Sequence, residues 1–261
     1  NVKLGRLLKD GAAMLENLSA NAECTPGNLA LKDFVGKLYS AEFSGSANLS
    51  FDKSRKAPYN LANTRISLKN LESSKLFADS EKPMITGEFS AQLDLEGSGN
   101  NMKHLGAYLL GSASLSGSGG TLRLIDTSTQ EGALTSIAGS AMRIAGMFLK
   151  DKAYEVGAMG DIIGYFGNLK YNGAEIKAKR NPETLAIELS AAEVKTEALI
   201  LAATGGSISM TPNVAIKEQP INIPISIKVA DGSVRKMFQK LNFGSAETDT
   251  KGFFNGPSFT V

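Results

Sequence analysis

The feature that most constrains the fold is a strict alternation of apolar and polar side chains in residues 87 to 99, GEFSAQLDLEGSG. Phe89, Ala91, Leu93 and Leu95 alternate there with acidic, amide and hydroxyl side chains. Successive side chains on a β-strand point to opposite faces of the sheet, so this pattern predicts a strand with one hydrated and one apolar face. The apolar face must meet either a second layer of the protein or a guest.

Two other segments repeat this alternation. Residues 41 to 52, AEFSGSANLSFD, keep the same period through Phe43, Leu49 and Phe51. In residues 221 to 229, INIPISIKV, the apolar side is formed by Ile221, Ile223, Ile225, Ile227 and Val229. Pro224 lacks an N–H for the sheet ladder, so we expect this strand at an edge or beside a bulge. We also expect Ile223, Ile225 and Ile227 to face the concave side of the sheet.

The remaining segments predict a mainly β chain of the α+β class. Asp10-Gly11 between two apolar-patterned runs indicates a hairpin of two antiparallel strands. Further strands are predicted at 66–68, 112–126, 174–179, 185–190, 197–203 and 208–210. Helices are predicted at 102–109, 128–150, 158–167 and 233–242, where apolar residues recur at threes and fours. We interpret the whole chain, 1–261, as one domain built on a twisted antiparallel sheet, with a helical insertion at about 128–167.

Composition excludes several functional classes. The chain has 28 Lys and Arg against 26 Asp and Glu, a formal net charge of +2, and no basic run with interleaved aromatic residues, so nucleic-acid binding is disfavoured. Cys24 and His104 are the only residues of their types, which excludes an internal disulfide and a zinc site built from both types. No uninterrupted apolar stretch reaches the roughly 18–20 residues of a membrane-spanning helix. The chain begins with Asn1 rather than Met, and we expect it to be an excised piece of a longer protein.

No set of residues forms a recognisable catalytic centre. Any triad would need His104, which we interpret as a structural residue of a short helix. Asp94 and Glu96 share a face, but they belong to the solvated side of the alternating strand. The run GSGGT at 117–121 lacks the lysine of a phosphate-binding loop, and Asp126, Asp161 and Asp231 do not have calcium-loop spacing. We therefore predict no catalytic residues, no metal site, no cofactor and no enzyme activity.

The order of motifs in residues 1 to 130 resembles the carboxy-terminal region of AsmA-like proteins of Gram-negative bacteria. LKDG at 8–11 opens a hairpin, and ITGEFSAQLDLEGSG is followed by MKHLGAYLLGSASLSGSGGTLRLID. In that family a strand with the pattern G-x-x-x-x-x-L-x-L-x-G precedes a short helix, and the next strand runs through G-x-L-x-x-x-D. The matching residues are Gly87, Leu93, Leu95, Gly97, Leu105, Leu110, Gly111, Gly120, Leu122 and Asp126.

The resemblance implies a long curled β-sheet whose concave apolar face forms a groove for phospholipid acyl chains. It also implies a periplasmic protein, anchored in the inner membrane by a segment outside this sequence, through which phospholipid moves between the two membranes. No catalytic residue is implied. The candidate groove residues are Phe43, Leu49, Phe51, Phe89, Leu93, Leu95, Ile221, Ile223, Ile225, Ile227 and Val229.

Two alternatives to an open groove remain. The predicted helices can pack on the apolar side and complete an ordinary α+β core, most of all at the centre of the sheet. The domain can also act as a cell-envelope scaffold that adds its edge strands to a partner protein and carries no lipid. In either case, this part of the chain alone need not transport lipid.

Overall fold

The fold is one large, open, antiparallel β-sheet. The computed structural model describes residues 2–9, 12–76, 85–123, 168–210, 220–230, 232, 234–236 and 254–260. Fifteen strands in these ranges belong to a single sheet, and every pairing between them is antiparallel. The sequence-based prediction of a mainly β fold with a twisted antiparallel sheet is confirmed.

The first seven strands form a continuous meander, each paired with the next one along the chain. They are β1 (Val2–Lys9), β2 (Ala12–Thr25), β3 (Asn28–Leu38), β4 (Ala41–Phe51), β5 (Tyr59–Glu72), β6 (Ile85–Gly99) and β7 (Leu110–Leu122). Two short helices interrupt this half, α1 (Ser73–Leu76) before β6 and α2 (Met102–Ala107) after it.

The second half of the chain extends the same sheet. Its strands are β8 (Leu169–Tyr171), β9 (Gly173–Arg180), β10 (Ile187–Lys195), β11 (Leu199–Ala203), β12 (Ser207–Ile208), β13 (Ile221–Asn222), β14 (Pro224–Val229) and β15 (Phe254–Thr260). From β7 the main path continues through β9, β10, β11, β14 and β15. The short strand β8 also pairs with β7, whereas β12 pairs with β10 and β13.

Most predicted strands are present, with different bounds. The Asp10-Gly11 hairpin is confirmed by the pairing of Lys9 with Ala12, although residues 10 and 11 themselves lie outside the described ranges. The strand predicted at 66–68 is longer, since it forms part of β5. The serine- and glycine-rich segment after residue 111 is a strand, as its alternation indicated. Strands β3, β8 and β15 were not predicted as separate strands.

The prediction for the INIPISIKV segment is correct only in part. It forms two strands, β13 and β14, and β14 pairs with β11 on one side and β15 on the other, so the expected edge position is wrong. The alternative, a neighbouring bulge, is confirmed because the register against β15 shifts between Ser226 and Lys228. Pro224 is the first residue of β14, where a missing ladder donor is tolerated.

Bulges recur along the sheet, and four of them coincide with an asparagine or aspartate in the left-handed region. These residues are Asn17, Asp33, Asn63 and Asn70, with φ angles of 52°, 50°, 50° and 56°. Each lies within a register shift between neighbouring strands. A bulge bends its strand and increases the local twist, so these residues curve the sheet at several points along its length.

Helix α2 lies against the end of β6. Its buried side chain, Leu105, is 3% exposed, and Asn101 caps the first turn by accepting a hydrogen bond from the backbone N–H of His104 at 2.8 Å. Gly99 makes this close approach possible, because a Cβ at that position would lie 2.7 Å from the Cα of Leu105. The prediction of a short helix here is confirmed, two residues shorter than expected.

The other predicted helices are described only in part. Those at 128–150 and 158–167 lie outside the described residues, so their packing on the sheet stays a prediction. Of the helix predicted at 233–242, residues 234–236 are described and are helical, and Val234 is 8% exposed.

The most deeply buried apolar side chains lie in local clusters. One cluster is near the start of β6 and includes Leu71, Phe89, Leu169 and Tyr171. Another spans β11 and β14, where Leu199, Ile227 and Val229 are at most 2% exposed. Among the described residues, burial this deep does not extend to the middle of the apolar side.

Candidate functional site

Strand register aligns an unbroken row of apolar residues and glycine across nine strands, from β3 to β14. We call it the central row. Each member is the direct partner of the next, and the members are Gly36, Phe43, Leu68, Ala91, Leu115, Ile176, Ala192, Ala203 and Ile225. With strands about 4.8 Å apart, eight steps correspond to about 38 Å along the sheet. The central row therefore crosses most of the sheet without a polar side chain.

Two flanking rows extend this surface, one on either side of the central row. The second row consists of Phe34, Gly45, Ile66, Leu93, Ala113, Ala178 and Leu189. The third row consists of Leu71, Phe89, Gly117, Ala174, Val194, Leu201 and Ile227. Residues two apart on a strand point to the same side, so the three rows form one surface, which we call the apolar face.

The opposite side of the same strands is polar. Ser67, Gln92, Ser114 and Lys177 form one cross-strand row there. Arg65 and Asp94 form an ion pair at 3.3 Å whose side chains are 82% and 63% exposed. Such exposed pairs contribute little to stability, so this side is best described as a solvated surface.

Much of the central row is neither fully exposed nor fully buried. Phe43, Leu68, Ala91, Leu115 and Ile176 are all half-buried. The same is true of Ile66 and Leu93 in the second row. In an ordinary two-layer domain the centre of the sheet is its most buried part. Here deep burial is instead concentrated near the start of β6, under α2, across β11 and β14, and at Ala20, Phe34 and Ala41 in β2 to β4.

A small apolar cavity opens near the β1–β4 end of the sheet. Its volume is about 260 Å³, and its lining exposes no polar surface. The lining residues are Val2, Leu18, Ala20, Leu31, Phe34 and Phe43. Because Phe34 and Phe43 belong to the second and central rows, the cavity is continuous with the apolar face.

Arg180 fixes the position of α2 relative to the β9–β10 turn. Its guanidinium donates from Nη1 to the Leu109 carbonyl and from Nη2 to the Ala107 carbonyl, both at 2.8 Å. Its Nε donates to the Leu185 carbonyl at 3.0 Å. A planar guanidinium can satisfy three such acceptors at once, so one side chain ties three backbone segments together.

The structure places six of the predicted groove residues on the apolar face or directly beside it in β4 and β6. Phe43 is in the central row, Leu93 in the second and Phe89 in the third. Leu49 and Phe51 pair with Leu61 and Tyr59 of β5, and Leu95 pairs with Thr64 and Gly111. Phe89 is 8% exposed, whereas Phe51 is 37% exposed. Whether these side chains contact lipid stays a prediction.

The five candidate groove residues of the INIPISIKV segment occupy more varied positions. Ile225 is in the central row and Ile227 in the third, and Val229 pairs with the buried Leu199 of β11. Ile221 belongs to β13, where it pairs with Ile208 and is 47% exposed. Ile223 is half-buried between β13 and β14. The stripe thus runs from an exposed end to a fully buried one.

The residues considered for catalysis do not converge in the structure. His104 is half-buried and stacks on Tyr108, with ring centroids 4.3 Å apart. Asp94 and Glu96 lie exposed on the polar side of β6. In the described part of the chain, no three His, Cys, Asp or Glu side chains come together in a way that could hold a metal ion.

Sequence analysis missed several residues that complete the rows. Ile66, Leu68, Leu115 and Ile176 are the larger ones, and the small residues Gly36, Ala113 and Gly117 fill positions between them. Alternation around Ile66 and Leu115 gave a strand signal but not the register. Alanine and glycine contribute almost nothing to a hydrophobic pattern in the sequence. Their position on the apolar face is therefore seen only from cross-strand pairing.

Within the described ranges, neither the length nor the hydropathy of any helix is that of a membrane-spanning segment.

Comparison with known proteins identifies the family of this chain. No curated protein and no solved structure matches the chain. A family model, that of the AsmA family, matches residues 1–146, which is more than half of the chain. This match covers the strands from β1 to β7, on which a large part of the apolar face is built. The chain belongs to the AsmA family.

Proposed function

We propose that this chain is part of an envelope-spanning protein that binds phospholipid acyl chains and conducts them along the apolar face between the inner and outer membranes. The central row is the observation that supports this function most directly. A hydrocarbon chain on it meets no polar side chain for about 38 Å along the sheet. Each methylene group moved from water to such a surface gains about 0.8 kcal/mol, which is enough to hold a lipid tail.

The two sides of the sheet support a groove rather than an ordinary core. The polar side carries exposed ion pairs, so it can face water continuously. The half-buried state of Leu68, Ala91 and Leu115 leaves room for a guest on the other side. Because neighbouring strands present similar apolar residues, a tail can move from one strand to the next. No deep, specific pocket among the described residues of this face holds it in one place.

Family membership supports the proposed localisation. AsmA membership is consistent with a role in the cell envelope. We propose a periplasmic location and an inner-membrane anchor outside this sequence. A catalytic role forms no part of the proposal, and a His104→Ala variant is expected to keep full lipid binding.

Photo-crosslinking from two positions of the predicted groove tests the function. A photoactivatable amino acid at Leu93 or at Leu49, in the full-length protein in cells, is expected to form adducts with phospholipid labelled with radioactive phosphate. The matched controls are Gln92 and Ser50, which are the chain neighbours on the opposite side of the same strands. Adducts only with the protein's own segments, at both Leu93 and Leu49, would contradict lipid conduction on this face.

Strand addition to a partner protein is the second candidate, and β1 supports it. This strand pairs only with β2 among the described strands. Its apolar side chains are unusually open to solvent, with Val2, Leu4, Leu7 and Leu8 between 41% and 56% exposed. An exposed, apolar edge is a template for another strand.

Native mass spectrometry of the purified domain, followed by extraction of any bound lipid, separates the two candidates. Co-purified phospholipid is expected if the apolar face conducts lipid. A lipid-free domain that captures a partner strand would instead favour the scaffold.

A further inference from the structure

Two phenylalanine rings on the apolar face lie against glycines of the neighbouring strand. Phe89 of β6 is the direct partner of Gly117 in β7, and Phe34 of β3 is the direct partner of Gly45 in β4. A Cβ at Gly117 would lie 2.8 Å from Cε1 of Phe89, and a Cβ at Gly45 would lie 2.6 Å from Cζ of Phe34. The rings therefore occupy the space in which the partner's side chain would otherwise stand.

This arrangement differs from the usual geometry of a sheet. Side chains on a strand stand roughly perpendicular to it, so a phenylalanine normally projects well above the backbone. Phe89 and Phe34 are only 8% and 7% exposed, so each ring is covered by other side chains as well as packed against the neighbouring strand. Phe89 lies beside Tyr171 and Phe34 beside Phe43, with ring centroids 6.4 and 5.1 Å apart. Cβ of Ala174 in β9 lies 3.5 Å from the same Cβ position at Gly117, so side chains of both neighbouring strands bound this glycine site.

We propose that Gly117 is a positioning residue for acyl-chain passage, because it lets Phe89 lie flat and keeps the ring out of the path above the central row. This inference rests on the proposed function. A methyl group at position 117 would force the ring upward, since its closest contacts are side-chain atoms of Phe89 and Ala174 and not backbone. The raised ring would then stand beside Ala91 and Leu115 and block the chain locally.

Gly117 gives a cleaner test than Gly45. A Cβ at Gly45 would also collide with the backbone carbonyl of Arg65, so its substitution would disturb the sheet itself. Gly173, at the start of β9, provides a matched control. It lies on the other side of the sheet from Ala174, and a Cβ there would meet one backbone oxygen at 3.9 Å, which is ordinary contact.

The experiment measures phospholipid adducts in the full-length protein in cells, from a photoactivatable amino acid at Leu115 and, separately, at Phe43. In Gly117→Ala we expect a several-fold loss of adducts at Leu115 and no change at Phe43, which is remote from β7. Gly173→Ala should leave both yields unchanged. The double variant Gly117→Ala, Phe89→Ala should restore the yield at Leu115, because no ring remains to be raised.

Restoration is the readout that a purely structural role would not give. If the ring only covers the glycine backbone to stabilise the sheet, removing it would worsen the defect. An unchanged yield in Gly117→Ala, or a double variant that remains low, would overturn the inference while leaving lipid conduction intact.

Should Gly117→Ala fail to fold in a thermal melt, Phe89→Leu decides instead. Its yield at Leu115 should equal or exceed that of the wild type, and a lower yield would contradict the inference. Absence of adducts from Leu115 and Phe43 in the wild type would remove the proposed function as well.

Discussion

At the scale of single residues, backbone conformation at a few asparagine and aspartate positions shapes the sheet. Asn17, Asp33, Asn63 and Asn70 adopt positive φ inside strands, where most residues would be strained. Short polar side chains tolerate this conformation, and each residue creates a bulge without needing a glycine. The apolar residues on both sides of each bulge consequently stay on the same face. Leu31 and Phe34, three apart in β3, show this most clearly.

Substitutions at Asp33 test this role. Asp33→Val should destabilise the fold by roughly 1–2 kcal/mol, because a β-branched residue is costly in the left-handed region. Asp33→Gly should be close to neutral, since glycine adopts positive φ readily. Urea unfolding of the three proteins measures the difference. Equal losses in both variants would show that the carboxylate, and not the backbone angle, is what matters.

Tyr171 predicts a specific dependence of stability on pH. Burial raises the pKa of its phenol above the usual value of about 10, and its hydroxyl donates to the Thr86 carbonyl at 2.9 Å. The folded state therefore favours the protonated phenol. This contribution is fully present below about pH 10 and is lost as the pH rises through the folded-state pKa.

We expect the free energy of unfolding to fall more steeply above about pH 10 in the wild type than in Tyr171→Phe. Urea titrations of both proteins near neutral pH and above pH 10 provide the measurement. Parallel curves for the two proteins would mean that this phenol is equally accessible in the folded and unfolded states.

At the scale of elements, one sequence stripe yields strands in very different environments. Ile221 in β13 is 47% exposed, whereas Ile227 in β14 is 2% exposed. The two side chains have the same chemistry and differ mainly in what surrounds them, so they form a natural matched pair.

Replacing each isoleucine by aspartate should lower the free energy of unfolding by very different amounts. Ile227→Asp buries a charge and should cost several kcal/mol, on the order of the penalty for an unpaired polar group in an apolar site. Ile221→Asp should change stability little, because the charge remains in water. Thermal melts distinguish the two. Similar melting temperatures would show that β14 is wetter than its packing indicates.

The three hydrogen bonds of Arg180 lead to a prediction about the stability of helix α2. Arg180→Lys should loosen the helix end, because an ammonium cannot reproduce three hydrogen bonds from one planar group. Hydrogen exchange in residues 102–110 should then speed up. Lys179→Met is the control, since within the described residues Lys179 forms a single, partly exposed ion pair, with Glu188 at 3.6 Å. Faster exchange in both variants would mean that α2 responds to any change of a cationic side chain at the end of β9, and that the three hydrogen bonds of Arg180 are not specifically responsible.

Elements with simple alternation were predictable, and β3 shows why others were not. Its apolar positions change phase at the Asp33 bulge, which hides the period of two. Its turn into β4 is Tyr39-Ser40, where both residues have positive φ, although neither is a typical residue for that turn. Sequence patterns record periodicity well, but they do not record a bulge that restores the phase afterwards.

At the scale of the whole molecule, the apolar face depends on register more than on composition. The existence of an apolar side could be predicted from Phe89, Leu93 and the isoleucine stripe. The central row could not, because Gly36, Ala192 and Ala203 have no hydrophobic signal of their own. The rows also depend on the order of strands, which the sequence leaves open after β7.

The meander topology predicts a gradient of stability along the sheet. Each strand contacts chiefly its two neighbours, as in a quasi-one-dimensional array. Native-state hydrogen exchange should therefore show low protection in β1, whose side chains are exposed, and high protection in β5 and β6, which are paired on both sides. A single protection level for all strands would indicate one cooperative unit instead.

The central row also means that the length of the apolar face is set by the number of hairpins in the sheet. Each antiparallel hairpin adds two strands, or about 10 Å, and returns the chain to its starting direction. Gain or loss of a hairpin would consequently change the length of the face without exchanging its apolar and polar sides. Loss of one strand would instead reverse the direction of every strand that follows it. Length variation among chains with this architecture should therefore occur in pairs of strands, so that the distance spanned changes in steps while the surface chemistry stays the same.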